Sequence, residues 1–489
     1  NMNIRIKNID SGELKGTIIP IFENKISKLS GDDDILKSIP FEGKADEVFY
    51  TTYLDKGLKY RIYVGLGKEE QLNGEVLRNA IARGIKQTKA LKLNSFAIEV
   101  FESNKICLPG IIKCITEASA MTLYSFDKYK SKKSNYNPKI YITNVDEGKL
   151  VKANKVLNET LNIVSSINMA KDLVNEPANV IYPEILANEV VKIGAESGFE
   201  VEVIHEEKCR DMGMQAFLSV AKGSVHSPKL IVMRYMGDEG NKEVLGLVGK
   251  GLTYDSGGFS LKPPTGMIDM KEDMAGAAAV IGTMSAIAKN KLKKNVVAVV
   301  AACENILSRD AFKPGDIIGS MAGKTIEVNN TDAEGRLTLI DAITYIIEKE
   351  GAGMIIDVAT LTGAAIHALG RYTTAVVSNN DEFYETFMEA TNVTDESFWR
   401  LPTFDHYKKQ LKSKVADLKN SDKTGAGTIT AAMFIKEFVQ DKPWIHLDIA
   451  GTASTESPIS EYMGCGATAV PLRTLYYFIK GMRKDHIDN

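Results

Sequence analysis

No uninterrupted apolar run in this chain exceeds eight residues, the longest being Val296 to Cys303. A helix that crosses a bilayer needs about 20 such residues, so no membrane span is expected. The first twenty residues, NMNIRIKNIDSGELKGTIIP, alternate charged and apolar positions. They carry neither the apolar core nor the cleavage site of a secretory leader, and none is expected there. Five cysteines (Cys107, Cys114, Cys209, Cys303 and Cys465) form no CxxC pair and no framework spacing. They are read as reduced thiols buried as small hydrophobes in a cytoplasmic protein. The six histidines (His205, His226, His367, His406, His446 and His486) make no HExxH and no HxH pair, so a zinc site of neighbouring imidazoles is not expected. A net charge of −3 supplies no basic field to gather nucleic acid or anionic membrane, and neither is expected as a partner. Internal repeats and low-complexity tracts are also missing.

What remains is a chain of 489 residues and 44% hydrophobic content, long enough for two or three well-filled domains. Its first part alternates short strand patterns (3–9, 16–22, 48–54, 59–66, 95–101 and PKIYITN) with helical ones at about 74–92 and 110–126. The lysine-rich KYKSKKSNYNP (128–138) is read as a solvated loop rather than a phosphate patch. A long helical pattern, about 146–174, then runs into NEPANVIYP (175–183), whose two prolines and two asparagines mark a break. The expected fold is α/β with two domains, each a mixed sheet flanked by helices: an amino-terminal domain, 1–170, ending in a linker helix, and a larger carboxyl-terminal domain, 171–489. In the second, apolar strands at 229–235, 243–248, 295–302, 353–359 and 443–449 alternate with helices at 184–196, 273–288, 337–349, 428–439 and 471–482. That alternation predicts a mostly parallel sheet covered on both faces, with ligands gathered beyond the carboxyl ends of its strands.

The strand ends carry the chemistry. GKGLTYDSGGFSLKPP (249–264) places Lys250, Asp255 and Lys262 in what reads as a Gly-rich loop. Asp273 stands at the mouth of a helix, where a lone carboxylate is also an ordinary companion of the helix dipole. TLTGAA and AGTAS, after two later strands, suit close approach of a ligand to backbone. NNTDAEGRL (329–337) lies between a strand pattern, KTIEV, and a helical one. On extended backbone Asp332 and Glu334 share a face and converge, and two bare carboxylates that close resist ionisation unless a cation sits between them. A helix-capping role for Asp332 leaves Glu334 and Arg336 without an account. Asp255, Asp273, Asp332 and Glu334 together offer four negative charges, enough for two divalent ions roughly 3.5–4 Å apart. Oxygen ligands of this kind suit Mn²⁺, Mg²⁺ or Zn²⁺. One further segment, GSMAGKT (319–325), imitates a phosphate-binding Walker loop but has three residues between its glycines instead of four. It also leads into a strand, so an ATPase is not expected.

GKGLTYDSGG (249–258), KEDMAGAA (271–278) and NTDAEGRL (330–337), in this order along the chain, closely resemble the leucyl (cytosol) aminopeptidases. NEPANVIYP, KPGDII (313–318), ATLTGA (359–364), ADLKN (416–420) and HLDIAG (446–451) resemble the same family. The likeness covers the chain from about residue 170 onward. It implies a two-metal exopeptidase that hydrolyses amino-terminal residues, preferably apolar and leucine-like, by a metal-bridged water. On the matching positions, Asp255, Asp332 and Glu334 would hold one ion, and Lys250, Asp255, Asp273 and Glu334 the other (Zn, Mn, Mg or Co). The lysine ligand must then be neutral. Lys262 would polarise the scissile carbonyl, while Arg336, with Gly335, Leu337 and Leu361, would hold a bicarbonate that moves the proton. The side-chain pocket would be formed by Met270, Thr360, Gly363, Ala450 and Ala453. Some relatives carry methionine where Ala453 stands, so a roomier pocket is expected here. SDKTGAGTIT (421–430) also departs from the family's glycine pattern. The resemblance further implies a homohexamer. Two other readings remain open on sequence: a binding or regulatory protein on this scaffold, since some members bind DNA, and an enzyme narrowed to dipeptides such as cysteinylglycine.

Overall fold

The structure, a computed structural model, describes residues 2–9, 13–23, 25, 38 and 40–481. In the amino-terminal half, six strands form one sheet in the order Ile4–Ile6, Lys139–Thr143, Ser95–Glu99, Gly16–Phe22, Leu58–Gly67, Val48–Leu54. All neighbours run parallel except the last pair, a hairpin. Helix Gly74–Ala90 starts where the Asn73 side chain accepts the Val76 N–H, an N-cap that satisfies a free amide. It packs onto the sheet at Gly84, where a Cβ would stand 3.0 Å from the Ile18 side chain. The lysine-rich stretch is an irregular loop with Lys130 to Asn135 exposed, as its charge predicts.

Helix Leu150–Asn175 joins the halves and buries Ile163, Val164 and Ile167 in a core shared by both. Beyond it, eight strands form the second sheet, in the order Ser397–Arg400, Thr373–Ser378, Trp444–Asp448, Met354–Ala359, Leu245–Asp255, Asn295–Asn305, Lys229–Met236, Glu200–His205. The central four strands are parallel, as is the outermost pair Thr373–Ser378 with Ser397–Arg400, and antiparallel pairs on both flanks make the sheet mixed, as expected. Alternate residues of its strands feed two cores. Leu247, Val296 and Ala298 face the one continuous with the amino-terminal half, while Val248, Val297 and Val299 face the other. Burial on both faces is why these strands read as unbroken apolar runs.

Three expectations need correction. The strand expected at 243–248 continues to Asp255, so Lys250 and Asp255 lie in a strand and only Lys262 lies in the loop after it. Its glycines serve packing: a Cβ on Gly249 would stand 2.6 Å from the Ala277 Cα of helix Ala275–Lys289. KTIEV shrinks to a two-residue strand, Ile326–Glu327, between Ile317–Ile318 and Leu418–Lys419 in a small separate sheet. Cys465 is exposed, unlike the buried Cys114, Cys209 and Cys303. Three further strands, Glu200–His205, Thr373–Ser378 and Ser397–Arg400, were not expected, and the first and last of them form the two edges of the sheet. The altered glycine pattern at 421–430 has a visible consequence: Ala426 takes left-handed backbone, φ +53°, just before helix Gly427–Lys436.

Candidate metal centre

The four parallel strands of the second sheet deliver their carboxyl ends to one side. Asp255 ends one strand and Asn305 its neighbour; Thr360 to Gly363 follow the third, and Ala450 to Ala453 the fourth. Between them lies a cavity of about 350 Å³. A larger cavity of about 640 Å³, between the amino-terminal half and residues 391–395, has Asp395 as its only carboxylate. The smaller one holds the acids, and the site belongs there.

Asp255, Asp273 and Glu334 are buried, and each offers an oxygen to a group whose members all lie within 4.8 Å of one another. The Asp273 Oδ2 and Glu334 Oε2 atoms have neither a hydrogen bond nor an ion pair. Buried carboxylate oxygens without partners are costly, and a cation is the partner that such a set suits. The Lys250 Nζ, only 3% exposed as a residue, donates to Asp273 Oδ1 at 2.8 Å and to the Thr360 carbonyl at 2.9 Å, and lies 3.0 Å from Glu334 Oε1. The Lys262 Nζ reaches Asp255 Oδ2 at 3.1 Å and Asp332 Oδ1 at 2.6 Å. Asp332 is the one acid of the four that is partly open to the cavity.

Four carboxylates against two ammonium groups leave excess negative charge in a buried place. Burial, and then Asp255, hold the Glu334 carboxyl well above the usual range. Burial likewise pushes Asp273 up to about 6 against the pull of Lys250, and raises Asp332 with help from Asp255. For Lys250, burial works toward the neutral amine, but Asp273, Glu334 and Asp255 outweigh it and raise its pKa. The neutral lysine of the expected ligand set therefore requires divalent charge among the same acids, which reverses the sign of that field. Lys262 is raised in the same way, burial being overcome by Asp255 and Asp332.

The convergence of Asp332 and Glu334 does not arise from an extended strand. Asp332 sits in a turn closed by its own N–H donating to Asn330 Oδ1 at 2.8 Å, and Glu334 has helical backbone (φ −85°, ψ −32°) as the residue before helix Gly335–Glu348. Nor does Asp332 cap that helix; Glu334 occupies the capping position without using its side chain as a cap. Turning Glu334 into the first helical turn points it at Lys250. A Cβ on Gly335 would stand 2.4 Å from Lys250 Cε, so glycine is what lets the two elements approach.

Of the residues expected to hold an anion, Arg336 is buried, lines the cavity and has Nε without a partner. Its Nη1 donates to the Asn420 carbonyl at 2.7 Å, and burial lowers its pKa to about 10. The Leu337 amide donates to the Glu334 carbonyl, and the Leu361 amide to Asp448 Oδ1 at 3.2 Å, so both are already engaged. Met270, Thr360, Gly363, Ala450 and Ala453 all line the cavity, as expected for the side-chain pocket; Asp269, Glu272 and Ile366 join them.

Sequence reasoning passed over two buried supports. Asn305 donates to Asp255 Oδ1 at 2.8 Å and to the Thr331 carbonyl at 3.0 Å, tying one of the four acids to the loop that carries two others. Asp448 accepts from Thr362 Oγ1 at 2.7 Å and from the amides of Leu361 and Ala450, so it shapes both pocket loops at once. Each ends a strand, and that position was the available signal.

The sequence model of the "Cytosol aminopeptidase family, catalytic domain" matches residues 168–476, and that of the family's N-terminal domain matches residues 31–133. A probable cytosol aminopeptidase of Clostridium perfringens (strain 13 / Type A) is 49% identical over 484 residues, covering 97% of this chain and 98% of that one. The chain belongs to the cytosol aminopeptidase family. A second relative with the same description, from Treponema denticola, is 44% identical over 95% of this chain and 98% of its own. Among solved structures, the bottromycin maturation enzyme BotP superposes with a TM-score of 0.86 at 27% identity, covering 96% of this chain and 99% of that one. The same enzyme has also been solved in complex with Mn, with a TM-score of 0.87. The family is one of metal-dependent peptide hydrolases, and this chain is an enzyme of that class. No helix among the described residues is long and apolar enough to cross a membrane.

Proposed function

We propose that the enzyme removes amino-terminal residues, preferably apolar and leucine-like, from peptides, using two divalent ions. Asp255, Asp332 and Glu334 would hold one ion, and Lys250, Asp255, Asp273 and Glu334 the other. Zn, Mn, Mg and Co are all suited to this set of donors. The observation that carries the reading is the buried group of Asp255, Asp273 and Glu334, with partnerless oxygens on two of the three. When bound, the ions supply Lewis acidity and an activated water, and they anchor the free amine that distinguishes an exopeptidase.

The chain's own residues do the rest. Lys262, beside Asp255 and Asp332 at the cavity, would donate to the scissile carbonyl oxygen as negative charge develops there. Arg336 presents a planar guanidinium suited to a planar anion such as bicarbonate. Held by Arg336, such an anion would supply a base for the proton that the attacking water loses and the leaving amine gains. Met270, Thr360, Gly363, Ala450 and Ala453 line the space for the first side chain, with alanine or glycine at three of these five positions favouring a wide pocket.

The domain division at 170/171, a homohexameric state and a cytoplasmic location complete the reading. Exposed Ile268, Trp399, Phe404 and Ile459 give apolar surface for subunit contact, and sedimentation should give six chains per particle. The activity itself is tested with a panel of aminoacyl amides. Leucine-type substrates should be cleaved, chelation should abolish cleavage, and Mn²⁺ or Zn²⁺ should restore it. Equal cleavage of amino-blocked peptides contradicts the proposal.

A further inference from the structure

The ADLKN segment ends at Asn420, a residue to which the reaction above gives no part. Strand Leu418–Lys419 runs parallel to Ile326–Glu327, so the two segments leave their small sheet side by side. Asn420, fully buried, then meets the loop that carries Asp332 and Glu334. Its Oδ1 accepts from the amides of Asn329 at 2.8 Å and Asn330 at 3.4 Å. Its Nδ2 donates to the carbonyls of Asn330 at 2.8 Å and Ala333 at 3.1 Å. Its own carbonyl accepts from Arg336 Nη1 at 2.7 Å. The bonds bracket Asp332 on both sides, reach the residue before Glu334, and hold the guanidinium two residues later.

An asparagine amide has two donor hydrogens and two acceptor lone pairs, and here all four are used. Aspartate has the same shape but would set a carboxylate against two carbonyls. Serine has one hydroxyl, and glutamine is one carbon too long for a place with no exposed surface. We propose that Asn420 is a positioning residue of the metal centre, fixing Asp332, Glu334 and Arg336 relative to one another. Asn420 is not among the residues that line the cavity. The inference rests on the reading of residues 330–336 as a metal loop.

The test uses the full chain, stripped by a chelator and titrated with Mn²⁺ by calorimetry, beside steady-state kinetics on a leucyl amide. Asn420→Ala should bind Mn²⁺ about 10–100-fold more weakly, the usual effect of losing a partner behind a metal ligand. Its kcat should fall by more than its KM rises. Asn295→Ala is the matched control. Asn295 is also a buried asparagine; it donates to the carbonyls of Asp238 and Asn241 and accepts the Asp238 amide. It stands at the opposite end of strand Asn295–Asn305, about 30 Å from the site at the usual rise per residue. That variant should lose stability while keeping wild-type Mn²⁺ affinity and kcat. Wild-type Mn²⁺ affinity in Asn420→Ala, or an equal loss in Asn295→Ala, overturns the proposal. If Asn420→Ala does not fold, Asn420→Ser, which keeps a hydroxyl for one carbonyl, is read in the same way, and full affinity there also overturns it. Mn²⁺ binding is measured without peptide. A chain whose metal depends on Asn420 but which cleaves nothing therefore refutes the aminopeptidase reading and leaves this one standing.

Discussion

Lys262 and Glu334 lie in one cluster but should fail differently when replaced. Lys262 pairs with two of the acids and remains partly exposed at the cavity, whereas Glu334 supplies a buried oxygen that nothing else satisfies. Lys262→Met should therefore keep its metal and lose about 10²–10³-fold in kcat, the scale of one missing oxyanion donor. Metal analysis beside kinetics checks this; loss of metal in that variant makes Lys262 part of the cradle instead. At this scale much was legible in the sequence. Position after the strands and charge counting singled out Asp255, Asp273, Asp332 and Glu334 together with Lys250, Lys262 and Arg336, and family resemblance added the roles proposed for them. Asn420 was not legible, because it works through hydrogen bonds to backbone of a segment far earlier in the chain, whereas Asp448 left only its place at a strand end as a signal. An asparagine in such a role has no local spacing to betray it.

At the scale of elements, the helix that joins the halves carries a test of its own. Lys171, in helix Leu150–Asn175, is buried, with its ammonium 4.0 Å from the Met463 sulfur and over the Tyr124 ring at 5.0 Å. Burial, helped by the charge of Arg473, lowers its pKa to about 8. A lysine lowered in the fold penalises the folded state below that pKa, and the penalty fades as pH rises from about 8 toward the ordinary value near 10.4. Lys171→Met should thus be more stable than the parent at pH 7, by up to about 3 kcal/mol at 1.36 kcal/mol per unit. The advantage should close by about pH 10, as denaturant titrations at several pH values would show. A difference that does not change with pH contradicts it. The periodic elements were legible here and the aperiodic ones were not. Glycines 249 and 251 read as loop because glycine marks turns far more often than a strand crowded by a helix, as at Gly249, or by its neighbouring strand, as at Gly251. The turn at 331–334 read as extended because alternation of charged residues was the only signal available there.

For the whole molecule, the halves are held by a buried ion cluster that no sequence pattern announced. Glu117, in helix Leu108–Leu123, takes Arg78 Nη1 at 3.1 Å and Arg473 Nη1 at 3.2 Å, and Arg78 also pairs with Asp395. Two of these residues come from the amino-terminal half and two from the later part of the catalytic one. Ion pairs formed across several hundred residues of chain leave no periodic trace. Glu117→Leu leaves two buried guanidinium groups sharing one fewer carboxylate and should cost about 3–5 kcal/mol of stability. A denaturation midpoint unchanged from the parent removes the cluster from the account of how the halves dock. What the docked halves support is the group of acids at the strand ends, and the central claim is that these acids hold two metal ions that the reaction needs. Metal content per chain, determined for the parent and for Glu334→Ala beside leucyl amide turnover, tests it most directly. The account predicts two ions per chain with turnover in the parent, and loss of both metal and turnover in Glu334→Ala. A fully metallated and fully active Glu334→Ala would contradict it.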